Sequence, residues 1–190
     1  MVGPRIFLPF LMALALERLL ELRLSRRNER EMKARGGFEY AAGQFKFMAA
    51  VHFLWFVAMA VEALVAPTSL PLWVTVPALV CFVGGQALRY IAITRLGPRW
   101  SVRVMVCDDL PLVSGGIYRW IRHPNYLGVI LEIAAVPLLG GAWRSAIVFT
   151  IANGLVLLDR IRSEEGILTS TSGYAGKLMD RPRFLPWARS

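Results

Sequence analysis

The chain has 190 residues, 56% of them hydrophobic and 18% charged, with a formal net charge of +9 and a mean hydropathy of +0.49. Ordinary soluble domains hold about 45–50% apolar and about 25% charged residues, so the balance excludes a disordered segment and points to an integral membrane protein. Two cysteines, Cys81 and Cys107, are too few for a secreted disulfide scaffold.

Five apolar segments follow in chain order: about Ile6–Leu24, Phe45–Val65, Leu70–Leu96, Tyr126–Leu139 and Trp143–Leu158. A bilayer core needs roughly 20 apolar residues per helix, which the first three supply. The last two reach only about 22–24 Å at 1.5 Å per residue. Pro137, Gly140 and Gly141 between them predict a tight helical hairpin. The first segment is a poor signal peptide, because Glu17, Arg18 and Glu21 stand where a small-residue cleavage site belongs. The fold class expected is all-α: a polytopic membrane protein of about five transmembrane helices with a cytoplasmic loop and tail. It reads as a single membrane domain over 1–190, with three helices in 1–96 and the catalytic part in 97–190.

The basic residues alternate with the apolar segments. Arg23, Arg26, Arg27, Arg30, Lys33 and Arg35 form one cluster, Arg95, Arg99, Arg103, Arg119 and Arg122 a second, and Arg160, Arg162, Lys177, Arg181, Arg183 and Arg189 a third. A nucleic-acid-binding domain would gather such charge on one face of a soluble fold, so nucleic acid is excluded as partner and the bilayer is retained. The bias of Lys and Arg sets the amino terminus outside and the loop and tail in the cytoplasm, at the inner membrane if the cell is bacterial.

Glu17, His52, Arg89 and Glu132 all fall roughly 8–12 Å below the cytoplasmic surface at 1.5 Å per residue. Ionisable groups at such depth face partners or a wet cavity, and pairing or snorkelling to the interface is the simpler account. Glu62 lies apart, near the outer end.

The strongest local signal is Gly115-Gly116-Ile117-Tyr118-Arg119-Trp120-Ile121-Arg122-His123-Pro124-Asn125-Tyr126-Leu127-Gly128. Pro124 suits the first turn of a helix. His123 then stands at the helix mouth beside free N–H groups, a place that favours an anion. Gly128 permits close approach to the backbone. An interfacial belt of Tyr118, Trp120 and Tyr126 is the plainer alternative. A second signal, Asp159-Arg160-Ile161-Arg162-Ser163-Glu164-Glu165, carries the fifth helix into the cytoplasm. Arg160 and Glu164 pair at i,i+4, or a glutamate reaches back over the mouth of helix four. No metal site is spaced in the sequence, and neither cysteine has a catalytic partner nearby.

Gly116–Gly128 with Tyr118, Arg122, His123, Pro124, Tyr126 and Gly128 resembles the isoprenylcysteine carboxyl methyltransferases and their phospholipid methyltransferase relatives. Leu88-Arg89, Leu96-Gly97-Pro98-Arg99-Trp100, Arg160-Ile161 and Glu164-Glu165 extend the resemblance over about half the chain. Glu17-Arg18-Leu19 and Ser25-Arg26-Arg27-Asn28 resemble a bacterial branch associated with polyketide products such as alkylpyrones and alkylresorcinols. The tail departs from better-known members, with Ser172-Gly173-Tyr174 only a partial echo of their Phe-Gly-x-x-Tyr element.

The resemblance implies S-adenosylmethionine as cofactor, in a pocket built from the loop, the start of helix four and the tail. It assigns Gly116, Tyr118, His123, Pro124, Tyr126, Gly128, Arg160, Glu164 and Glu165 to the cofactor, with Glu164 and Glu165 undistinguished. Arg122 or Arg89 would face the acceptor oxygen, and Glu165 is a further catalytic candidate. The acceptor would be a carboxylate or hydroxyl of a lipophilic or prenylated molecule. A small membrane carrier or assembly factor is the competing reading, though five helices offer no inverted repeat.

Overall fold

The computed structural model describes residues 3–66, 68–171, 176 and 178–185. Helices dominate: α1 (Pro4–Ala34), α2 (Gln44–Val65), α3 (Leu72–Leu96), α4 (Pro124–Leu139) and α5 (Trp143–Thr171), with strands β1 (Phe38–Tyr40) and β2 (Val104–Val106) between them. The five expected helices therefore form. Two of them, α2 and α3 with its continuation to Arg99, are long and apolar enough to cross a membrane. Helix α4 is apolar but shorter, while α1 carries Glu17, Arg18 and Glu21 inside its apolar stretch.

Helix α1 changes partner along its length. Its first half buries Phe7, Leu11 and Leu14, spaced as one helical face, against Trp55, Met59 and Ala63 of α2 and Val129, Ile133 and Val136 of α4. Its second half is polar outside but buries Ser25, Asn28, Glu29 and Met32. Glu29 Oε1 accepts from Ser25 Oγ at 2.6 Å and Ser101 Oγ at 2.8 Å. Asn28 Nδ2 donates to Gly97 O at 3.0 Å and Trp100 O at 2.8 Å. The helix thus runs ten residues beyond the apolar segment that the sequence marks, because the loop after α3 gives this face something to bury against. β1 and β2 pair antiparallel, Phe38 opposite Val106 and Tyr40 opposite Val104, which ties α1's exit to the same loop.

The outer surface of the bundle is apolar. Ile6, Met12, Phe53, Val57, Trp73, Val80, Ile151 and Leu155 are all more than half exposed except Val57, at 44%. Contiguous exposed apolar surface of this kind commonly marks a membrane or partner contact. At the far end Glu62 of α2 caps α5, accepting from Arg144 N at 3.0 Å, Ser145 N at 2.8 Å and Ser145 Oγ at 2.7 Å. A carboxylate at a helix N-terminus meets both unsatisfied N–H groups and the positive dipole end.

Helices α3 and α4 cross with almost no space between backbones. A Cβ on Gly85 would lie 2.9 Å from Gly128 O, and one on Gly128 would lie 2.7 Å from Gly85 O and 2.6 Å from Arg89 Cγ. Gly128 therefore serves the helix crossing. Gly128→Ala is expected to force the two helices apart and lower the melting temperature of the detergent-solubilised protein, by about 1–3 kcal/mol of stability as in other overpacked cores. Gly84→Ala, where nothing lies within 4 Å, is the control that should leave melting no lower and raise it slightly, as Ala does in an open helix interior.

Candidate active site

Helix α4 starts at Pro124, whose missing N–H and fixed φ suit a first helical position, with His123 just before it. The preceding loop is held by the tail: Arg122 N donates to Pro182 O at 3.0 Å and His123 N to Arg183 O at 3.1 Å. Arg181 Nη1 donates to Ser114 O at 2.9 Å and to Tyr118 O. Loop and tail are thereby one unit at the mouth of α4.

Adjacent glutamates on α5 have opposite tasks. Glu165 turns into protein, its side chain 7% exposed, where two arginines and a histidine meet it. His123 Nε2 stands 2.9 Å from Oε1, Arg122 Nη1 3.1 Å from Oε1 and Arg183 Nη2 2.7 Å from Oε2. Burial opposes its charge, but the hydrogen bonds from His123 and Arg183 and the charge of Arg122 hold its pKa down to about 2. Glu164 instead accepts from Tyr126 OH, and that hydroxyl accepts from Arg160 Nε at 2.7 Å. Arg160 Nη2 reaches on to Val102 O at 2.6 Å. The His123 and Tyr126 rings stack at 5.3 Å, joining the two groups.

These residues line one end of a cavity of about 800 Å³ that runs between α1, α2, α4 and α5. Of the residues expected to bind a cofactor, Tyr118, His123, Tyr126, Arg160 and Glu164 line it, as does Arg122. Glu165 acts from behind, through His123 and Arg122. Pro124 is buried beneath the mouth. Gly116 has a φ of +62° and stands against Arg95, so it makes the turn ahead of the site. Gly128 faces α3, as described above. Ser172-Gly173-Tyr174 lie outside the described residues.

The other end is apolar, walled by Leu8, Leu11, Met12, Phe53 and Phe56, and between the two ends stand Arg18, Glu21, His52, Arg89 and Glu132. The shared depth of the ionisable residues becomes a network across α1, α3 and α4. Arg18 lies 3.0 Å from Glu17 and 2.9 Å from Glu21. Arg89 pairs with Glu21 and lies 3.4 Å from Glu132, and Gln86 Nε2 donates to Glu17 at 2.8 Å. Pairing and cavity both hold, since Arg89 is paired with carboxylates and still forms wall. His52 stands apart from the network: its Nδ1 is 2.8 Å from Met48 O of its own helix.

Sequence reading passed over Trp100, Asn125 and Val102. All three line the cavity, and Trp100 Nε1 and Asn125 Oδ1 are buried with no hydrogen-bond partner among the described residues. Trp100 and Asn125 both lie inside the motifs singled out, but nothing in the residue types marks their side chains as wall.

The model of the isoprenylcysteine carboxyl methyltransferase (ICMT) family matches residues 78–170, from α3 through the Tyr126 and Glu164 positions. An uncharacterized Bacillus subtilis protein, YpbQ, is 34% identical over 162 residues, covering 84% of this chain and 94% of its own. The protein-S-isoprenylcysteine O-methyltransferase of Schizosaccharomyces pombe is 33% identical over 91 residues, 47% of this chain and 39% of its own length. That of Saccharomyces cerevisiae is 36% identical over 86 residues, 44% of this chain and 36% of its own. The chain thus spans nearly all of this bacterial relative but under half of these two yeast enzymes. With the loop, the start of α4 and the paired glutamates inside the matched region, the chain belongs to the isoprenylcysteine carboxyl methyltransferase family.

Proposed function

We propose that this protein is a membrane-embedded methyltransferase that uses S-adenosylmethionine to methylate a carboxylate or hydroxyl oxygen of a lipophilic acceptor. The observation that carries the reading is one cavity lined by polar residues at the mouth of α4 and by apolar residues of α1 and α2. A water-soluble donor and a lipid-soluble acceptor need such a chamber with two unlike ends. The mouth fits the donor: the Glu164 carboxylate suits a ribose or an ammonium group, and the buried Asn125 Oδ1 lacks a hydrogen-bond donor among the described residues.

The cofactor would supply a methyl group on a positively charged sulfur, open to in-line attack by an electron-rich oxygen. The chain's own work is then to hold, orient and keep out water. Tyr126 and Arg160 fix Glu164, while Arg122 and His123 are braced by Glu165. A carboxylate acceptor is ionised at neutral pH, since its reference pKa is about 4, and needs no base. A hydroxyl acceptor would pass its proton to Glu132 or His52, both on the cavity wall. In this reading all five helices span the bilayer, with the amino terminus outside and loop and tail in the cytoplasm, where the donor is made.

The test is methyl incorporation from labelled S-adenosylmethionine by the purified full-length protein in lipid vesicles. Transfer to long-chain acids, phenols or hydroxypyrones, and not to their short-chain analogues, is the expected result. Labelling of the water-soluble analogues alone, or of no acceptor, would count against it.

A further inference from the structure

We propose that Arg99 and Trp100 form a carboxylate-binding site on the cavity wall, distinct from the Tyr126–Arg160–Glu164 group. The identity of its ligand rests on the methyltransferase reading; the existence of the site does not. Trp100 is 2% exposed, yet its indole N–H, a donor and nothing else, has no acceptor among the described residues. Buried donors in folded proteins nearly always find a partner, and Trp100 is among the residues that line the cavity. Its position is held from behind, since Asn28 Nδ2 donates to Trp100 O at 2.8 Å.

Arg99 precedes it on the short turn Gly97–Arg99 and lines the same cavity. Other arginines on that wall meet carboxylates: Arg18 and Arg89 meet Glu21, Arg103 meets Glu39 at 2.7 Å, and Arg122 meets Glu165 at 3.1 Å. Arg160 shares the Tyr126 hydroxyl with Glu164. Arg99 meets only carbonyls, its Nη1 donating to Cys107 O at 3.1 Å and to Leu110 O. No carboxylate lies within 4.0 Å of it among the described residues. A planar guanidinium matches a two-oxygen anion, and the neighbouring indole N–H adds a third donor. The ligand group is a carboxylate, either the amino-acid end of the methyl donor or the head of a lipophilic acceptor.

The test is calorimetric binding to the full-length protein in detergent, comparing wild type with Trp100→Phe, which removes the N–H together with part of the ring, and Arg99→Gln; the probes without a carboxylate report the effect of the lost ring volume. The probes are S-adenosylhomocysteine, 5′-methylthioadenosine (the same nucleoside without the amino acid), decanoate and decanol. Each variant should weaken a carboxylate probe by about ten- to hundredfold, as loss of a hydrogen bond to a charged group does, and leave 5′-methylthioadenosine and decanol unchanged. Loss confined to S-adenosylhomocysteine assigns the site to the donor; loss confined to decanoate assigns it to the acceptor. Equal weakening of probes with and without a carboxylate, or no weakening in Trp100→Phe, overturns the proposal. Wild-type protein that binds decanoate through Arg99 and Trp100 but not S-adenosylhomocysteine would keep the site and sink the methyltransferase reading instead.

Discussion

Glu165→Ala should be among the most damaging substitutions in the chain, although Glu165 does not touch the cavity. It removes the shared acceptor of Arg122, His123 and Arg183 and leaves the buried Arg122 without that carboxylate. Breaking a buried ion pair from one side typically costs about 3–5 kcal/mol. The expected result is a large fall in melting temperature together with loss of S-adenosylhomocysteine binding, because loop and tail part at the mouth of α4. Acid should act in the same direction. The folded pKa of about 2 lies below the ordinary glutamate value, so the contribution is fully present above about pH 4.5 and is lost as pH falls toward 2. Melting measured from pH 6 to pH 3 should therefore decline more steeply in wild type than in Glu165→Gln, which has no such charge to lose. Parallel declines would show that Glu165 is not the coupled group.

The second large effect belongs to the network between α1, α3 and α4. Arg89→Leu leaves Glu21 and Glu132 facing each other with only Arg18 nearby, 2.9 Å from Glu21 and 3.7 Å from Glu132. A loss of about 3–5 kcal/mol is expected, again as the cost of an uncompensated buried charge. The Arg89→Leu, Glu132→Leu double variant should regain at least half of that, since replacing both partners by apolar groups can be nearly neutral. A thermal-melting cycle reads the coupling directly. Simple additivity of the two single losses would mean that the 3.4 Å Arg89–Glu132 contact carries no energy.

Much of this was legible in the residues. Apolar runs and their breaks mark all five helices, and Pro124 marks where α4 begins. The depth of Glu17, Arg89 and Glu132 is read from their distances to the helix ends, and the hairpin of α4 and α5 brings the two motifs to one face. What periodicity does not carry is the rotation of each helix about its axis. Depth alone cannot tell that Glu17 and Glu132 share partners, or that Gly128 packs against Gly85. Glu164 and Glu165 are adjacent and so about 100° apart around α5, which separates a cavity wall from a buried brace; only packing decides which is which. The polar second half of α1 looks like a solvated basic stretch because Ser25, Asn28 and Glu29 are not apolar, yet they are the face that carries the 97–103 loop. β1 and β2, with three residues each, are too short to leave an alternating pattern.

The most direct test of the central claim, a donor site built on Tyr126, Arg160 and Glu164, is calorimetric titration of S-adenosylhomocysteine into the purified protein and its Tyr126→Phe variant. That variant keeps the ring stacked on His123 and removes only the hydroxyl between Arg160 and Glu164. Saturable binding by wild type, weakened about tenfold or more in a variant that still folds and melts cooperatively, is the predicted result. Folded wild-type protein that does not bind, or a variant that binds as tightly as wild type, would contradict the account.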